Sequence, residues 1–221
     1  MISEDQELID VHRKLYESLF KESGRGAILI ATAIVEEQLL KLIEVVLPPD
    51  ITKEIKKRLL KYPGPVSSLA AKIHIAYAFR LIDKNLCDSL NALRDVRNEA
   101  AHSALSFELI QLNERLKKIY NLSEILPTQI NEMSTQMLLF DKREALNVFF
   151  DKDNLTEEEK TKQIEEILTD KNNLEVFNNE IPIWELINGL YIICGLIISI
   201  KKKLFVLSGD IRILSEILVQ D

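Results

Sequence analysis

The sequence predicts an all-α protein, a single helical bundle with a peripheral acidic helical insertion, and three observations predict it. Apolar residues recur at spacings of three and four over most of the chain, which gives each segment one buried face when it is helical. Only 6 glycines and 6 prolines serve 221 residues, too few for the turns of a many-stranded sandwich or barrel. The chain is 47% hydrophobic and 29% charged, rich in Leu, Ile, Glu, Lys and Ala, so it can fill a sizeable core and favours helix while doing so.

The first helix is expected to run to about Phe20, with Ser3 as its cap and Leu8, Val11, Leu15 and Leu19 as its inward stripe. Gly24-Arg25-Gly26 reads as a turn. Residues 27–47 then form a helix that is apolar nearly all round apart from Glu36, Glu37, Gln38, Lys41 and Glu44, and such a helix is central. Pro48-Pro49 ends it. Asp50 is placed to cap a short basic helix that carries Lys53, Lys56, Lys57, Arg58 and Lys61 around Ile51, Ile55 and Leu59. Tyr62-Pro63-Gly64-Pro65 makes a rigid loop, and Ser67 or Ser68 caps a helix reaching Ile82, with Leu69, Ile73, Ala76 and Phe79 or Arg80 on one side. Asp83 caps the next helix, whose core stripe is Leu86, Leu90, Leu93 and Val96.

A further helix begins near Ser106 with Leu109, Leu112 and Leu116 inward, and another covers residues 128–150. Thr156-Glu157-Glu158-Glu159 is a capping box that opens a short helix to about Thr169. Residues 151–181 hold few large apolar side chains, so they read as a peripheral excursion. Between Asp151 and Glu180 stand ten acids and four lysines, a local charge of −6 out of a total of −7. The rest of the chain is close to neutral, so net acidity does not exclude a phosphate-bearing partner, and no strong basic footprint marks one either.

Pro182 suits a first helical turn, and residues 184–200 are the most hydrophobic run. Glu185, Asn188, Gly189 and Gly195 interrupt it short of the ~20 apolar residues of a membrane span, so a buried core helix and no membrane segment is the expectation. Lys201-Lys202-Lys203 closes this helix, and Asp210 caps a last one through Ile211, Leu214, Ile217 and Leu218. The core is expected from the segments 27–47, 68–82, 86–102 and 184–200. The two cysteines, Cys87 and Cys194, form no C-x-x-C pair, and the N-terminus is acidic where a secretory signal is basic and then apolar. Buried thiols in a cytoplasmic protein follow, with no metal site and no cofactor expected.

Reactive side chains concentrate in one stretch, Arg94-Asp95-Val96-Arg97-Asn98-Glu99-Ala100-Ala101-His102. At about 100° per residue, Arg94, Asn98 and His102 fall in one slanting stripe, with Arg97 about 60° aside. A guanidinium can grip phosphate through two parallel hydrogen bonds, and an imidazole exchanges protons near neutral pH. The same side chains also serve as a polar seam between helices, with Arg97 paired to an acid and His102 capping the helix. His12 and His74 have no partner at metal-ligand spacing and read as structural. Glu36 and Glu37 point about 100° apart on a helix, one toward a buried polar contact and one toward solvent.

Four blocks between Gly24 and Phe107 carry a resemblance: Arg25-Gly26-Ala27-Ile28-Leu29 with Glu36-Glu37-Gln38-Leu39-Leu40; Gly64-Pro65-Val66-Ser67-Ser68-Leu69-Ala70-Ala71-Lys72-Ile73; Ala76-Tyr77-Ala78-Phe79-Arg80-Leu81-Ile82; and the stretch from Arg94 to His102. In order and spacing they resemble the mannitol operon repressor family, with Lys72 where the family pattern favours Arg. The last block, an Arg-Asn pair with a His four residues after the Asn, also looks like the signature of HEPN-type helical domains.

The first resemblance implies a helical regulator that acts on transcription through protein contacts, as a homodimer partnered with the transcription machinery and without direct DNA reading. No short helix-turn-helix with a basic recognition helix is evident in the sequence. The second implies an alternative, a toxin-like endoribonuclease that needs no metal and has RNA as its partner. There Arg97, Asn98 and His102 would be catalytic, with His102 acting as base or acid on the 2′-hydroxyl and Arg97 steadying charge on the phosphate. Arg94, Lys72 and Glu36 are the candidate binding residues. Arg97 and His102 stand about 140° apart on one regular helix, so such a site is built from two chains, or from a helix that stops before His102.

Overall fold

The computed structural model describes residues 6–102, 107–151 and 155–218, with side chains as far as residue 205 in the last helix. These residues form ten α-helices and one 3-10 turn, and no strand occurs among them. The protein is an all-α helical bundle.

Helix α1 (Gln6–Leu19) buries Leu8, Val11, Leu15 and Leu19, the predicted stripe, while Ser3 lies outside the described residues. Helix α2 (Gly24–Val45) starts earlier than its sequence suggests. Ser23 caps it by accepting a hydrogen bond from the Gly26 N–H, so Gly24-Arg25-Gly26 is its first turn and not a loop before it. Gly24 answers to a close approach, since a Cβ there would stand 2.7 Å from the Phe107 carbonyl oxygen. In α3 (Lys53–Leu60) the cap is Thr52, whose hydroxyl accepts from Ile55 N–H, and not Asp50. Ile51 therefore precedes the helix, Ile55 is exposed and Leu60 faces inward.

Helix α4 (Leu69–Ala78) is capped by Ser68 and stops four residues before Ile82. Arg80 takes a left-handed φ of 56°, and the N–H of Leu81 bonds back to the Ala76 carbonyl at 2.8 Å. Neighbouring positions on a continued helix diverge by about 100°. Breaking it lets Leu81 and Ile82 both face the core and leaves Phe79 outside. Helix α5 (Lys84–His102) is capped by Asp83, whose carboxylate accepts from Leu86 N–H at 2.8 Å, and it buries Leu86, Leu90, Leu93, Val96 and Ala100.

A 3-10 turn (Leu109–Leu112) leads into α6 (Asn113–Tyr120), with Leu109, Leu112 and Leu116 inward as their spacing predicts; Ser106 lies outside the described residues. Next come α7 (Leu126–Phe150), α8 (Glu157–Thr169) with its full Thr156–Glu159 capping box, and α9 (Lys171–Asn178). Helix α10 (Ile181–Leu218) corrects the sequence reading at its far end. It runs through Lys201-Lys202-Lys203 and through Asp210 as one helix of 38 residues, because lysine is a good helix former and no proline intervenes.

Helix α10 packs against α1, α2, α6 and α7, and α5 packs against α2, α4 and α6. One cluster of buried side chains joins them, from Leu8 to Ile198. By length and composition Ile181–Phe205 could cross a membrane, yet Leu186, Ile187, Leu190, Ile193, Cys194 and Ile197 are wholly enclosed by the other helices. Cys87 and Cys194 are free and buried, and burial pushes the Cys194 thiol up to about 12, which keeps it neutral.

Helices α7 and α10 run antiparallel. Lys142 meets Glu180 at 2.7 Å, and eight residues back along α7 Ser134 meets Asn188, eight residues onward, at 3.0 Å. The acidic segment leaves and rejoins the bundle at this end. Its α8 packs on α7 and α9, with Ile164 and Leu168 buried outside the main cluster, and Arg143–Glu165 and Lys160–Asp151 ion pairs fasten it.

Candidate functional site

The apolar stripe of α5 decides what its opposite face presents. With Leu90, Leu93, Val96 and Ala100 turned inward, Arg97, Asn98 and His102 are exposed and Arg94 is half-buried. The carboxylates nearest in sequence are taken by other cations. Asp95 accepts from Arg94 at 3.0 Å, and Glu99 is paired with Arg115 of α6. The Arg97 guanidinium donates to the Asn98 side-chain oxygen at 3.3 Å. No carboxylate among the described residues pairs with Arg97 or with His102. Among the described residues Arg97 is therefore not neutralised by an acid, as the seam reading expects it to be.

Asn98 is bonded to Arg97, its neighbour in sequence. The helix is regular through His102, so the two catalytic candidates of one chain still diverge by about 140°.

The structure brings Lys72 and Glu36 together, with the lysine shut off from solvent and the carboxylate half-buried. Lys72 on α4 is buried, and its ammonium donates to Glu36 of α2 at 2.7 Å and to the Ser67 carbonyl at 2.6 Å. Both side chains are thus occupied within the bundle, and no hydrogen bond or ion pair links them to Arg94. Of the adjacent acids, Glu36 makes the buried contact and Glu37 the outer ones, to Lys14 and Lys41, which hold its carboxyl below the usual range. His12 packs edge-on against Tyr191 at 4.9 Å, and His74 is exposed.

Sequence reasoning missed a buried polar cluster between α6, α7 and α10. Asn188 donates to Ser134, Asn131 donates to Glu185 at 2.7 Å, and Ser89 bonds the Ile119 carbonyl. The second Glu185 carboxyl oxygen, the Tyr120 hydroxyl and the Trp184 indole N–H are buried without a protein partner. The signal was present in the sequence, because Glu185 and Asn188 are the polar interruptions of the apolar run.

Burial pushes the Glu185 carboxyl above the usual glutamate range, more than Asn131 and Lys117 pull it down. Burial, and then Glu185 itself, hold the Tyr120 phenol well above its ordinary value. The folded state thus binds a proton at Glu185 that the unfolded chain releases, so this contribution to stability is full at low pH. It is lost as pH rises from the ordinary glutamate value through the raised one. Glu185→Gln is expected to flatten that slope and to raise Tm at pH 8 more than at pH 5. Thermal melts of both proteins across that range check this, and parallel curves would refute it.

Among the described residues no group of three or more His, Cys, Asp or Glu side chains is arranged to hold a metal ion. No family model, no curated protein and no solved structure matches this chain.

Proposed function

We propose that paired copies of this chain cleave RNA at the exposed end of α5, with Arg97 and His102 as the chemical groups. The observation that carries this reading is that both side chains are open to solvent and meet no carboxylate partner among the described residues, while Asp95 and Glu99 beside them are occupied elsewhere. An unneutralised guanidinium is the group best shaped to hold a phosphodiester, and His102 can move the proton. His102 takes the 2′-hydroxyl proton, the freed oxygen attacks phosphorus, and the 5′-oxygen leaves with a proton from His102 of a second copy. The products are a 2′,3′-cyclic phosphate and a 5′-hydroxyl. Arg97 steadies the charge on the non-bridging oxygens, held at its angle by Asn98. Two copies answer the divergence of Arg97 and His102 on one helix, because the His102 side chains of both chains then share one site with an Arg97.

Purified protein is expected to cut RNA in EDTA, and His102→Ala or Arg97→Ala to slow it by about a hundredfold or more. Intact RNA, or full-rate cleavage by His102→Ala, would overturn the reading.

A second reading, a regulator that acts on transcription through protein contacts, is favoured by a different surface. A recess of about 560 Å³ between the α2–α3 connection and α10 is lined by Leu47, Pro48, Pro49, Ile51 and Phe205 with Lys53 and Lys56 at its side. Glu44 also lines it and pairs with Lys56 at 3.0 Å, so the recess is an apolar patch with a charged rim, the anatomy of a protein-contact surface. The regulator reading fails if pull-downs recover no transcription component and if deletion leaves the cell's transcript levels unchanged.

A further inference from the structure

A groove of about 510 Å³ lies between α1 and α7, a size typical of small-molecule sites. Its lining is ordered along α7. Met133 and Met137 stand at one end, Phe140 follows one turn on, and Asp141 and Glu144 stand at the other end. Helix α1 contributes His12 and Tyr16, and Trp184 of α10 completes the wall. The aromatic side chains brace one another: Tyr16 meets Trp184 at 5.8 Å between ring centroids, and Phe20 meets both near 4.8 Å. Asp141 and Glu144 enter no salt bridge among the described residues, although Glu144 lies close enough to Lys160 for the two charges to interact. The cations around them have partners of their own, Lys142 with Glu180, Arg143 with Glu165, and Lys160 with Asp151.

We propose that this groove binds a small amphiphilic organic cation, with its ammonium group at Asp141, Glu144 and the faces of Phe140 and Tyr16 and its apolar body along Met133 and Met137. Three physical features converge on that chemistry. Aromatic faces attract a cation through the negative face of the ring, most strongly for weakly hydrated quaternary ammonium groups. Two carboxylates outside any salt bridge among the described residues stand beside those rings and add the charge that an apolar groove alone lacks. Methionines, unbranched and polarisable, fit apolar bodies of varied shape. Phe140 is 66% exposed and Met133 38%, so the ligand would cover apolar surface now facing water. The site is independent of the α5 face, and its test is separate from that of RNA cleavage.

Trp184 is the one tryptophan of the chain, so its fluorescence reports on this wall without a label. Hexyltrimethylammonium is expected to change that fluorescence saturably, whereas hexanol, the same chain without the charge, and hexanesulfonate, with the opposite charge, bind at least about tenfold more weakly. Asp141→Asn with Glu144→Gln, two conservative changes at a half-buried and an exposed position, is expected to lower the affinity for the cation by about tenfold and leave that for hexanol unaltered. Circular dichroism confirms that the variant is folded. Equal affinity for the three probes, an unsaturable response to the cation, or an unchanged affinity in the double variant would overturn the proposal.

Discussion

Replacing Gly189 by alanine is expected to destabilise the protein by about 3 kcal/mol, the upper end of the range for an overpacked core. A Cβ at this position would sit 2.2 Å from one ring carbon of Tyr120 and 2.4 Å from the next, far inside van der Waals contact. Tyr120 is 1% exposed, so its ring has no solvent into which to retreat. Moving it would disturb α6 against α10 and also against α5, whose Ser89 hydroxyl donates to the Ile119 carbonyl next door. In urea melts the midpoint should fall sharply. Tyr120→Leu in the same chain should recover part of the loss, because it empties the space the new methyl needs. Equal midpoints for Gly189→Ala and the parent would show that the helices separate more easily than this packing implies.

The ion pair between α2 and α4 should respond unequally to losing its two members. The Lys72 side chain is 4% exposed and that of Glu36 34% exposed. Removing Glu36 leaves an ammonium in the interior with the Ser67 carbonyl as its remaining partner, a situation that costs about 3 kcal/mol. Removing Lys72 leaves a carboxylate that water already reaches, and methionine can fill the space left by the lysine stem. Glu36→Ala is therefore expected to be worse than Lys72→Met by about 2 kcal/mol, read as the difference in unfolding free energy between the two variants. The reverse order would mean that the lysine stem, and not its charge, is what the bundle depends on.

The helices were legible in the sequence because helix formation is mainly a local matter of period and capping. Leu8, Val11, Leu15 and Leu19 announced α1, and Thr156 with Glu159 announced α8. The misreadings fall at ends, where several residues compete for one role. Ser23, Thr52 and Arg80 set boundaries that Gly24, Asp50 and Ile82 were expected to set. Lys201-Lys202-Lys203 looked like a terminus because charge often marks one, yet nothing in lysine obstructs the backbone.

Around the candidate site, the stretch from Arg94 to His102 was visible as residue types on one face. Which carboxylates were already occupied depended on Arg115, which lies 16 residues from Glu99, and no local pattern links the two. The groove was harder still. Its walls come from three helices far apart in sequence, so no local pattern brings Tyr16, Phe140 and Trp184 together.

The Lys142–Glu180 pair has a consequence for how this chain can change in length. It joins residues 38 positions apart at the point where α7 and α10 pass each other, so the chain between them departs from the bundle and returns to one place. Insertions or deletions in α8 and α9 alter a detour and leave the register of the core helices alone. Closing a longer loop costs only about 0.6 kcal/mol per doubling. An acidic segment can therefore be lengthened, trimmed or exchanged here while the bundle keeps its shape.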